Sequence, residues 1–185
     1  QYKQQGTIRL TIRVQENGRI TPVLKRTLMA GQFVGISEAQ GEFTLNNTHK
    51  ETLLIAGGSG ITPFQSMLEE LSHTSRNQNI KLIYYARNQN EHLFQNELET
   101  LTKNHPNVDV VYISTATSGR FSNQQLNRHC PDYLNRHIYL CGPTEMIQST
   151  RQILEQNSVP KENIFLEYFG SAPIEAPNTD IEGRV

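Results

Sequence analysis

From residue 52 onward, short apolar segments alternate with longer amphipathic ones, and this rhythm constrains the fold more than any other feature of the sequence. The apolar segments are rich in β-branched and aromatic residues, which favour strands. They read TLLIA, IKLIYYA, VDVVYIS, HIYLCG and IFLEYF, and the helix-period segments between them read TPFQSMLEELSH, EHLFQNELETLTKN, FSNQQLNRHC and TEMIQSTRQILEQN. Repeated β–α–β units predict an α/β fold with a five-stranded, parallel, doubly wound sheet that carries helices on both faces.

The first 50 residues show a different, β-rich pattern. Residues 7–14 alternate apolar and polar side chains, as a half-buried strand does, and residues 31–45 predict one or two further strands interrupted by glycines. Between them, RITPVLKRTL predicts a short helix with Thr21 as its N-cap and Pro22 at its first position. The end of the chain has prolines and resembles a linker or tail. We therefore expect a break near residue 50 and the segments 1–50, 51–169 and 170–185.

Composition excludes several classes of function. The 17 basic and 18 acidic residues give a net charge of −1 without a basic run, which argues against a nucleic-acid partner. No stretch approaches the roughly 18 apolar residues of a transmembrane segment. Two cysteines, Cys130 and Cys141, are too few for a disulfide scaffold or a four-thiolate iron–sulfur cluster. The low cysteine count favours a reducing compartment, so we expect a cytoplasmic protein. The six scattered histidines lack metal-ligand spacing, so we expect no metal site.

The turn that follows the first apolar segment, GGSGITP, is the first candidate site. It places three glycines in four positions and leads directly into a helix. Glycines allow a close approach of the backbone to a pyrophosphate, and the free amides of a helix N-terminus donate to it. The motif departs from G-x-G-x-x-G because the last glycine is absent. A tight strand-to-helix turn with no ligand explains the same residues equally well.

A second turn, in YLCGPTEM, ends another strand at the same expected edge of the sheet. Parallel sheets bind ligands beyond the carboxyl ends of their strands, which is where Cys141 lies. The alternative interpretation is that Cys141 is a small buried hydrophobic residue, as free cysteines usually are.

Together these segments resemble the ferredoxin–NADP reductase family. LLIAGGSGITP, YYARNQNEHLFQNEL, IYLCGP and IFLEYF are similar, in order and spacing, to the motifs of its nicotinamide-nucleotide domain, and the match spans residues 52 to 169. The resemblance implies an FAD-dependent NAD(P)H oxidoreductase. It implies that 51–169 is the NAD(P)-binding domain and that 1–50 is the C-terminal part of an antiparallel FAD-binding β-barrel.

The resemblance also implies roles for individual residues. Cys141 and Ser59 would shape the nicotinamide pocket, and Glu167 would take the family's closing carboxylate position near the flavin, so these three form the expected catalytic set. The nucleotide would be held by residues of the two turns: Gly58, Ser59, Gly60, Ile61, Thr62, Cys141, Gly142 and Pro143. Without the other motifs, IFLEYF would be interpreted as an edge strand with one solvated carboxylate.

The flavin would be held further upstream. Gly18, Arg19, Ile20 and Thr21 resemble the family's Gly-x-x-Ser/Thr turn, whose amides bind the FAD pyrophosphate, and Phe169 resembles an aromatic residue beside the isoalloxazine. The main flavin motif of the family, an Arg-x-Tyr-Ser/Thr strand, is not in this sequence. Taken alone, Gly18 to Thr21 are typical of any capped helix.

Three polar residues bear on the choice between NADPH and NADH. Arg87, Ser114 and Arg120 occupy positions similar to those that hold the adenosine 2′-phosphate in NADP-using relatives, and the planar fork of arginine suits that group. The Ser-Arg pair of several NADP-specific relatives is absent, because Ser114 is followed by threonine. Arg87 also occurs in NADH-using relatives, so the residues favour NADPH without excluding NADH.

The expected function is therefore electron transfer from NADPH or NADH through FAD to an iron–sulfur or similar acceptor, for example in an oxygenase or desaturase system. The acceptor would be a ferredoxin or a fused 2Fe-2S domain, since this chain itself has no iron–sulfur ligand set. Two alternatives stay open: the reductase half of a flavohaemoglobin-like protein, and a nucleotide-binding module without turnover. A dihydroorotate-dehydrogenase-type subunit is disfavoured because it needs a cysteine cluster near its C-terminus.

Overall fold

The computed structural model describes residues 6–38, 40–74 and 78–169, and the predicted tail over 170–185 lies outside them. The strands are β1 (Glu51–Gly57), β2 (Asn79–Ala86), β3 (Val108–Ser114), β4 (His137–Gly142) and β5 (Ile164–Tyr168). The helices are α1 (Thr21–Thr27), α2 (Ile61–Ser72), α3 (Gln95–Asn104), α4 (Thr115–Ser118), α5 (Asn123–His129) and α6 (Thr144–Gln156). Within these ranges, no helix has the length and apolar character needed to cross a bilayer.

The five strands form one parallel sheet in the order β3-β2-β1-β4-β5, which confirms the predicted doubly wound α/β fold. The central strands are buried along nearly their whole length, which explains why their sequences are continuously apolar rather than alternating. In register, Ala56 of β1 lies between Tyr84 of β2 and Cys141 of β4.

Helices cover both faces of the sheet. On one face, Phe64 of α2 and Leu98 of α3 pack into a cluster of buried side chains that includes Tyr84 and Cys141. On the other face, Leu126 of α5 and the α6 residues Ile147 and Leu154 pack into a second cluster, which includes Cys130. The two clusters form the core, and the helices hold the sheet so that the carboxyl ends of its strands share one open edge.

Two helices begin at other residues than the sequence pattern predicted. Helix α1 begins one residue earlier, because its N-cap is Ile20 and not Thr21, and the Thr21 hydroxyl accepts a hydrogen bond from the backbone N–H of Gln15 at 2.9 Å. The predicted helix over EHLFQNELETLTKN forms only from Gln95. The residue before it, Phe94, has a left-handed φ of 58°, which interrupts the helix at this point.

The strands predicted within the first 50 residues are wrong for the described part of that segment, where α1 is the regular element. A strand needs a hydrogen-bonded neighbour, and no described residue pairs with residues 7–14. The four apolar side chains of their alternating pattern are consequently exposed to between 37% and 64%: Ile8, Leu10, Ile12 and Val14. Further along, the ring of Phe43 does reach the core, 5.8 Å from that of Phe64.

A histidine pair closes the amino-terminal edge of the sheet. The ring of His49 stacks on that of His137 with centroids 3.5 Å apart, and Nδ1 of His49 lies 2.9 Å from the hydroxyl of Tyr139. Burial lowers the pKa of His49 below its usual 6.5, and the neighbouring His137 lowers it further. The folded protein therefore favours the neutral imidazole at this position.

This lowered pKa predicts a pH-dependent stability. The unfolded chain protonates His49 near pH 6.5, whereas the folded chain protonates it only at lower pH, so the stability that is present above about pH 6.5 is lost as the pH falls below that value. His49→Gln should flatten that part of the profile in urea unfolding, because glutamine does not titrate. His73→Gln, at an exposed site after α2, is the control and should keep the wild-type profile. Equal slopes for all three proteins would contradict the assignment.

Candidate functional site

The order of the strands places a crevice at the carboxyl ends of β1 and β4. After β1 the chain continues to β2 on one side of the sheet centre, and after β4 it continues to β5 on the other. Ligands of open α/β sheets bind at such a switch point, because the two connections diverge and leave a gap between them. The GGSG turn follows β1 here, and the CGP turn follows β4.

The two turns pack backbone against backbone. Gly58–Gly60 forms a 3₁₀ turn that leads into α2, and Gly58 has a left-handed φ of +54°. A Cβ at Gly60 would collide with the carbonyl oxygen of Cys141 and would lie 2.7 Å from the Cα of Gly142. The glycine at position 60 is therefore required by packing at the switch point, whether or not a ligand binds.

Beside this contact lies a cleft of about 330 Å³ that opens at the strand ends. The ends of β1, β2 and β3, the start of α6 and the N-terminal segment all contribute to it. Three arginines and two glutamates supply its charge: Arg13, Arg87, Arg120, Glu91 and Glu145. Aromatic and aliphatic walls come from Tyr85, Phe121 and Met146. Cationic groups beside a glycine turn and an apolar wall are suited to an anionic ligand that carries a flat ring.

The structure brings four of the predicted nucleotide-binding residues together in this cleft: Gly58, Arg87, Arg120 and Pro143. Ser114 does not line the cleft but supports one of its residues, because its hydroxyl donates to the backbone carbonyl of Arg87 at 3.0 Å. The amide of Ala116 donates to the same carbonyl, also at 3.0 Å. The strand β3 thus fixes the backbone from which the Arg87 side chain extends.

The remaining predicted residues of the glycine turn support it from within. The Thr62 hydroxyl donates to the Ser59 carbonyl at 3.1 Å, and the Ile61 side chain is fully buried in the core. Ser59 is half-buried, Gly60 and Gly142 are buried, and none of these residues lines the cleft. Their backbone groups and the half-buried side chain of Ser59 are the parts of the turn nearest to a ligand in the cleft, whereas Thr62 faces a different pocket.

Cys141 is completely buried on the face of β4 that α2 and α3 cover. Burial raises the pKa of its thiol to about 12, and the charge of Glu167, its register partner on β5, adds to the rise. The thiol is therefore neutral and is not a nucleophile near neutral pH. The structure does not bring the predicted catalytic set, Cys141, Ser59 and Glu167, to one exposed surface, and their roles stay predictions.

The predicted flavin residues lie away from the cleft. The turn before α1 is closed by a 2.8 Å hydrogen bond from the Gly18 amide to the Gln15 carbonyl, and Gly18, Arg19, Ile20 and Thr21 do not line the cleft. Phe169 is 42% exposed beyond β5, where its amide donates to the Gly142 carbonyl at 3.1 Å. Its ring is accessible at the same edge of the sheet as the two turns.

Several cleft residues were not singled out from the sequence. Arg13 comes from the exposed N-terminal segment, and its Nη1 would lie 3.6 Å from a Cβ at Gly58. Glu145, Met146 and Ser149 follow the CGP turn on the first turns of α6, where positions 145 and 149 share one helix face. The rule that ligands bind beyond strand ends would have found the α6 residues, whereas no sequence pattern indicated Arg13.

In the part of the chain that the structure describes, no group of three or more histidine, cysteine, aspartate or glutamate side chains is arranged to hold a metal ion. The two cysteines are free and buried in opposite layers of the core.

Comparison with known proteins also indicates a nucleotide-binding domain of an oxidoreductase. The family model described as the oxidoreductase NAD-binding domain matches residues 54–152. The glycine betaine monooxygenase reductase subunit of Chromohalobacter salexigens is 25% identical in an alignment 184 residues long, which covers 94% of this chain and 50% of that protein. A flavohemoprotein of a Burkholderia species is 27% identical in an alignment 173 residues long, which covers 89% of this chain and 44% of that one.

Among solved structures, the flavohemoglobin of Malassezia yamatoensis with bound FAD and heme superimposes with a TM-score of 0.72 at 24% identity. The alignment covers 86% of this chain and 43% of that one. At this identity the similarity establishes the fold. The chain spans about half the length of the curated relatives described above.

The contact between the two turns predicts the effect of one methyl group. Gly60→Ala should lower the free energy of unfolding by roughly 3 kcal/mol, because the Cβ meets immobile backbone rather than a flexible side chain. Gly35→Ala is the matched control: nothing lies within 4 Å of its Cβ, and its effect should stay within about 0.5 kcal/mol. Urea denaturation measures both changes, and equal values would disprove the packing constraint.

Proposed function

The chain belongs to the oxidoreductase NAD-binding domain family, and from that premise we propose that it is the nicotinamide-nucleotide part of an FAD-dependent NAD(P)H reductase. One observation carries the proposal. The cleft at the switch point combines a glycine turn with left-handed backbone, three arginines and an apolar wall. These are the groups that a dinucleotide needs, since it carries a pyrophosphate, two sugars and two flat rings.

The pyrophosphate is assigned to the 3₁₀ turn at Gly58 and the start of α2. The first N–H groups of a helical segment lack partners within the helix and attract anions. The Arg13 guanidinium stands beside this turn and neutralises part of the charge. Because Gly58 has no side chain, an anion can approach the backbone there without a steric barrier.

The adenosine end is assigned to the side of the cleft formed by Arg87 and Arg120. Both side chains are exposed on loops after β2 and β3, and the bidentate fork of either one suits a 2′-phosphate. Glu91 and Glu145 line the same cleft and would oppose an additional phosphate. The arginine excess supports NADPH, while the glutamates limit the expected preference over NADH.

When bound, NAD(P)H supplies a hydride, and FAD accepts it and releases electrons singly. The chain's own contribution is to orient the nucleotide and to keep water from the reacting ring. Cys141 fills the core below the CGP turn as a neutral thiol, so in this proposal it shapes the site and transfers no proton. Glu167 on β5 and Phe169 beyond it lie on the side of the sheet edge where the flavin is expected.

The described residues do not by themselves form a flavin pocket. Residues 6–38 and 40–50 contain one short helix and no strand, and most of their large apolar side chains are exposed, Phe33 completely, whereas Phe43 and Leu45 pack against the core. The assignment of 1–50 as part of an FAD-binding barrel is supported by the coverage of relatives along this segment.

The electron acceptor is proposed to be an iron–sulfur protein such as a ferredoxin, a fused 2Fe-2S domain or an oxygenase component, acting in the cytoplasm. The similarity to the glycine betaine monooxygenase reductase subunit supports this class. The similarity to several flavohemoproteins supports the alternative of a flavohaemoglobin-type reductase half. A nucleotide-binding module without turnover is the third possibility.

The proposal is tested on the purified chain by titration with NADP⁺ and NAD⁺, and by absorbance from 300 to 550 nm during titration with FAD. Saturable nucleotide binding, with NAD(P)H-dependent reduction of ferricyanide once FAD is supplied, is the result expected of a reductase. Nucleotide binding without flavin uptake or ferricyanide reduction would favour the module without turnover. Failure to bind either nucleotide would overturn the proposal.

The two arginines allow a sharper prediction. Arg87→Ala should weaken NADP⁺ binding roughly 10- to 100-fold and NAD⁺ binding less than about threefold, because a charge-assisted hydrogen bond to the 2′-phosphate contributes about 1.5–3 kcal/mol. Arg128→Ala, an exposed arginine on α5 outside the cleft, is the matched control. Isothermal titration calorimetry measures the affinities, and equal losses for both nucleotides would place Arg87 on a part of the ligand that they share.

A further inference from the structure

The buried hydroxyl of Tyr84 forms hydrogen bonds to the backbones of two segments that border the cleft. Tyr84 lies on β2 and is completely buried, yet its O–H donates to the Gly58 carbonyl at 3.0 Å. The same oxygen accepts the backbone N–H of Leu93 at 3.0 Å. Gly58 belongs to the turn after β1, whereas Leu93 belongs to the loop after β2 that carries Arg87 and Glu91. One phenol therefore connects two segments that are far apart along the chain.

The bond to Gly58 also orients the peptide that follows it. In a planar trans peptide the C=O and the next N–H point in opposite directions. The Gly58 carbonyl points toward the buried phenol, so the Ser59 N–H points away from the core, toward the solvent side of the turn. An N–H with this direction can donate to an anion held over the turn. Flipping the peptide would cost the phenol its acceptor.

The bond to Leu93 fixes the other loop at a point where its backbone is irregular. The neighbouring His92 packs edge-on against the Tyr84 ring, with centroids 4.8 Å apart, and its Nε2 lies 3.2 Å from the Tyr84 carbonyl oxygen. Phe94, one residue further on, has the left-handed φ that delays α3. Tyr84 thus holds the segment between the arginine and the helix through its side chain and its main chain.

We propose that Tyr84 is a positioning residue for the pyrophosphate of a nicotinamide dinucleotide: it fixes the Gly58–Ser59 peptide and couples it to the loop of Arg87. The inference rests on the proposed function, because it assigns the ligand of the same cleft. Tyr84 does not line the cleft and acts through backbone groups. Burial raises the pKa of the phenol, so it keeps the proton that it donates to Gly58.

The chain contains a matched control for this phenol. Tyr112 is the register partner of Tyr84 on β3, and the two rings lie 6.3 Å apart. Its hydroxyl is also buried but has no hydrogen-bond partner among the described residues. Removing the oxygen from either tyrosine deletes the same atom from the same layer. Only at position 84 does this break hydrogen bonds to backbone groups: the Leu93 N–H loses its bond to the phenol, and the Gly58 carbonyl keeps only its bond from the Ile61 N–H.

The experiment compares the wild-type chain with Tyr84→Phe and Tyr112→Phe. Calorimetric titration with NADP⁺ and NAD⁺ should show affinity about five- to tenfold weaker for Tyr84→Phe, the loss expected for one unsatisfied turn contact. Tyr112→Phe should stay within about twofold of wild type. Amide hydrogen exchange supplies a readout that general destabilisation does not give: Leu93 should exchange faster in Tyr84→Phe, with central β1 amides unchanged.

A second measurement needs no variant. In the wild-type chain, saturating nucleotide should slow exchange at Leu93, although Leu93 does not line the cleft. An unchanged Leu93 rate, or equal nucleotide affinity in wild type and Tyr84→Phe, would overturn this inference and leave the proposed function intact. If the wild-type chain bound neither nucleotide, the proposed function and this inference would both be overturned.

Discussion

The approach of the glycine turn to the CGP turn determines where everything else at the sheet edge can lie. Gly60 packs so closely against the backbone of Cys141 and Gly142 that the space between them does not admit a Cβ atom. The turn therefore cannot move toward β4, and its Gly58 carbonyl is held by two donors, the Ile61 N–H within the turn and the phenol of Tyr84 on β2. The open cleft lies beside this contact, where Gly58 of one turn and Pro143 of the other both line it.

The positions of the charged groups in the cleft depend on the packing of the two turns, but the charged groups do not take part in that packing. Arg87 extends from a backbone that is fixed by two hydrogen bonds to its carbonyl, from the Ser114 hydroxyl and the Ala116 amide, and the exposed Arg120 faces the same cleft. A loop with a fixed backbone and a free side chain can present charge to a ligand at little cost in ordering. The site therefore separates two tasks: rigid glycine-lined backbone provides shape, and exposed arginines provide attraction.

The fold could be predicted from the sequence because five apolar runs and their amphipathic partners leave few alternatives to a parallel sheet. The cleft could be predicted in part: Gly58, Arg87, Arg120 and Pro143 follow strands, and strand ends share one edge. Arg13 could not, because its position depends on how the N-terminal segment crosses that edge. The strand predicted over 7–14 is wrong. An alternating pattern shows that a segment could form a strand, but it does not show that a neighbouring strand is present to pair with it.

The two buried cysteines can serve as probes of local opening, one on each face of the sheet. Cys130 lies in the layer under α5 and α6, and Cys141 lies in the layer under α2 and α3. Both are fully buried, and burial raises the pKa of each thiol to about 12, so a thiol reagent in solution reaches neither while the layers stay closed. Alkylation at each position therefore reports how often its own layer opens. A chain with one buried thiol on each face of its sheet can show whether the two faces unfold together or in turn.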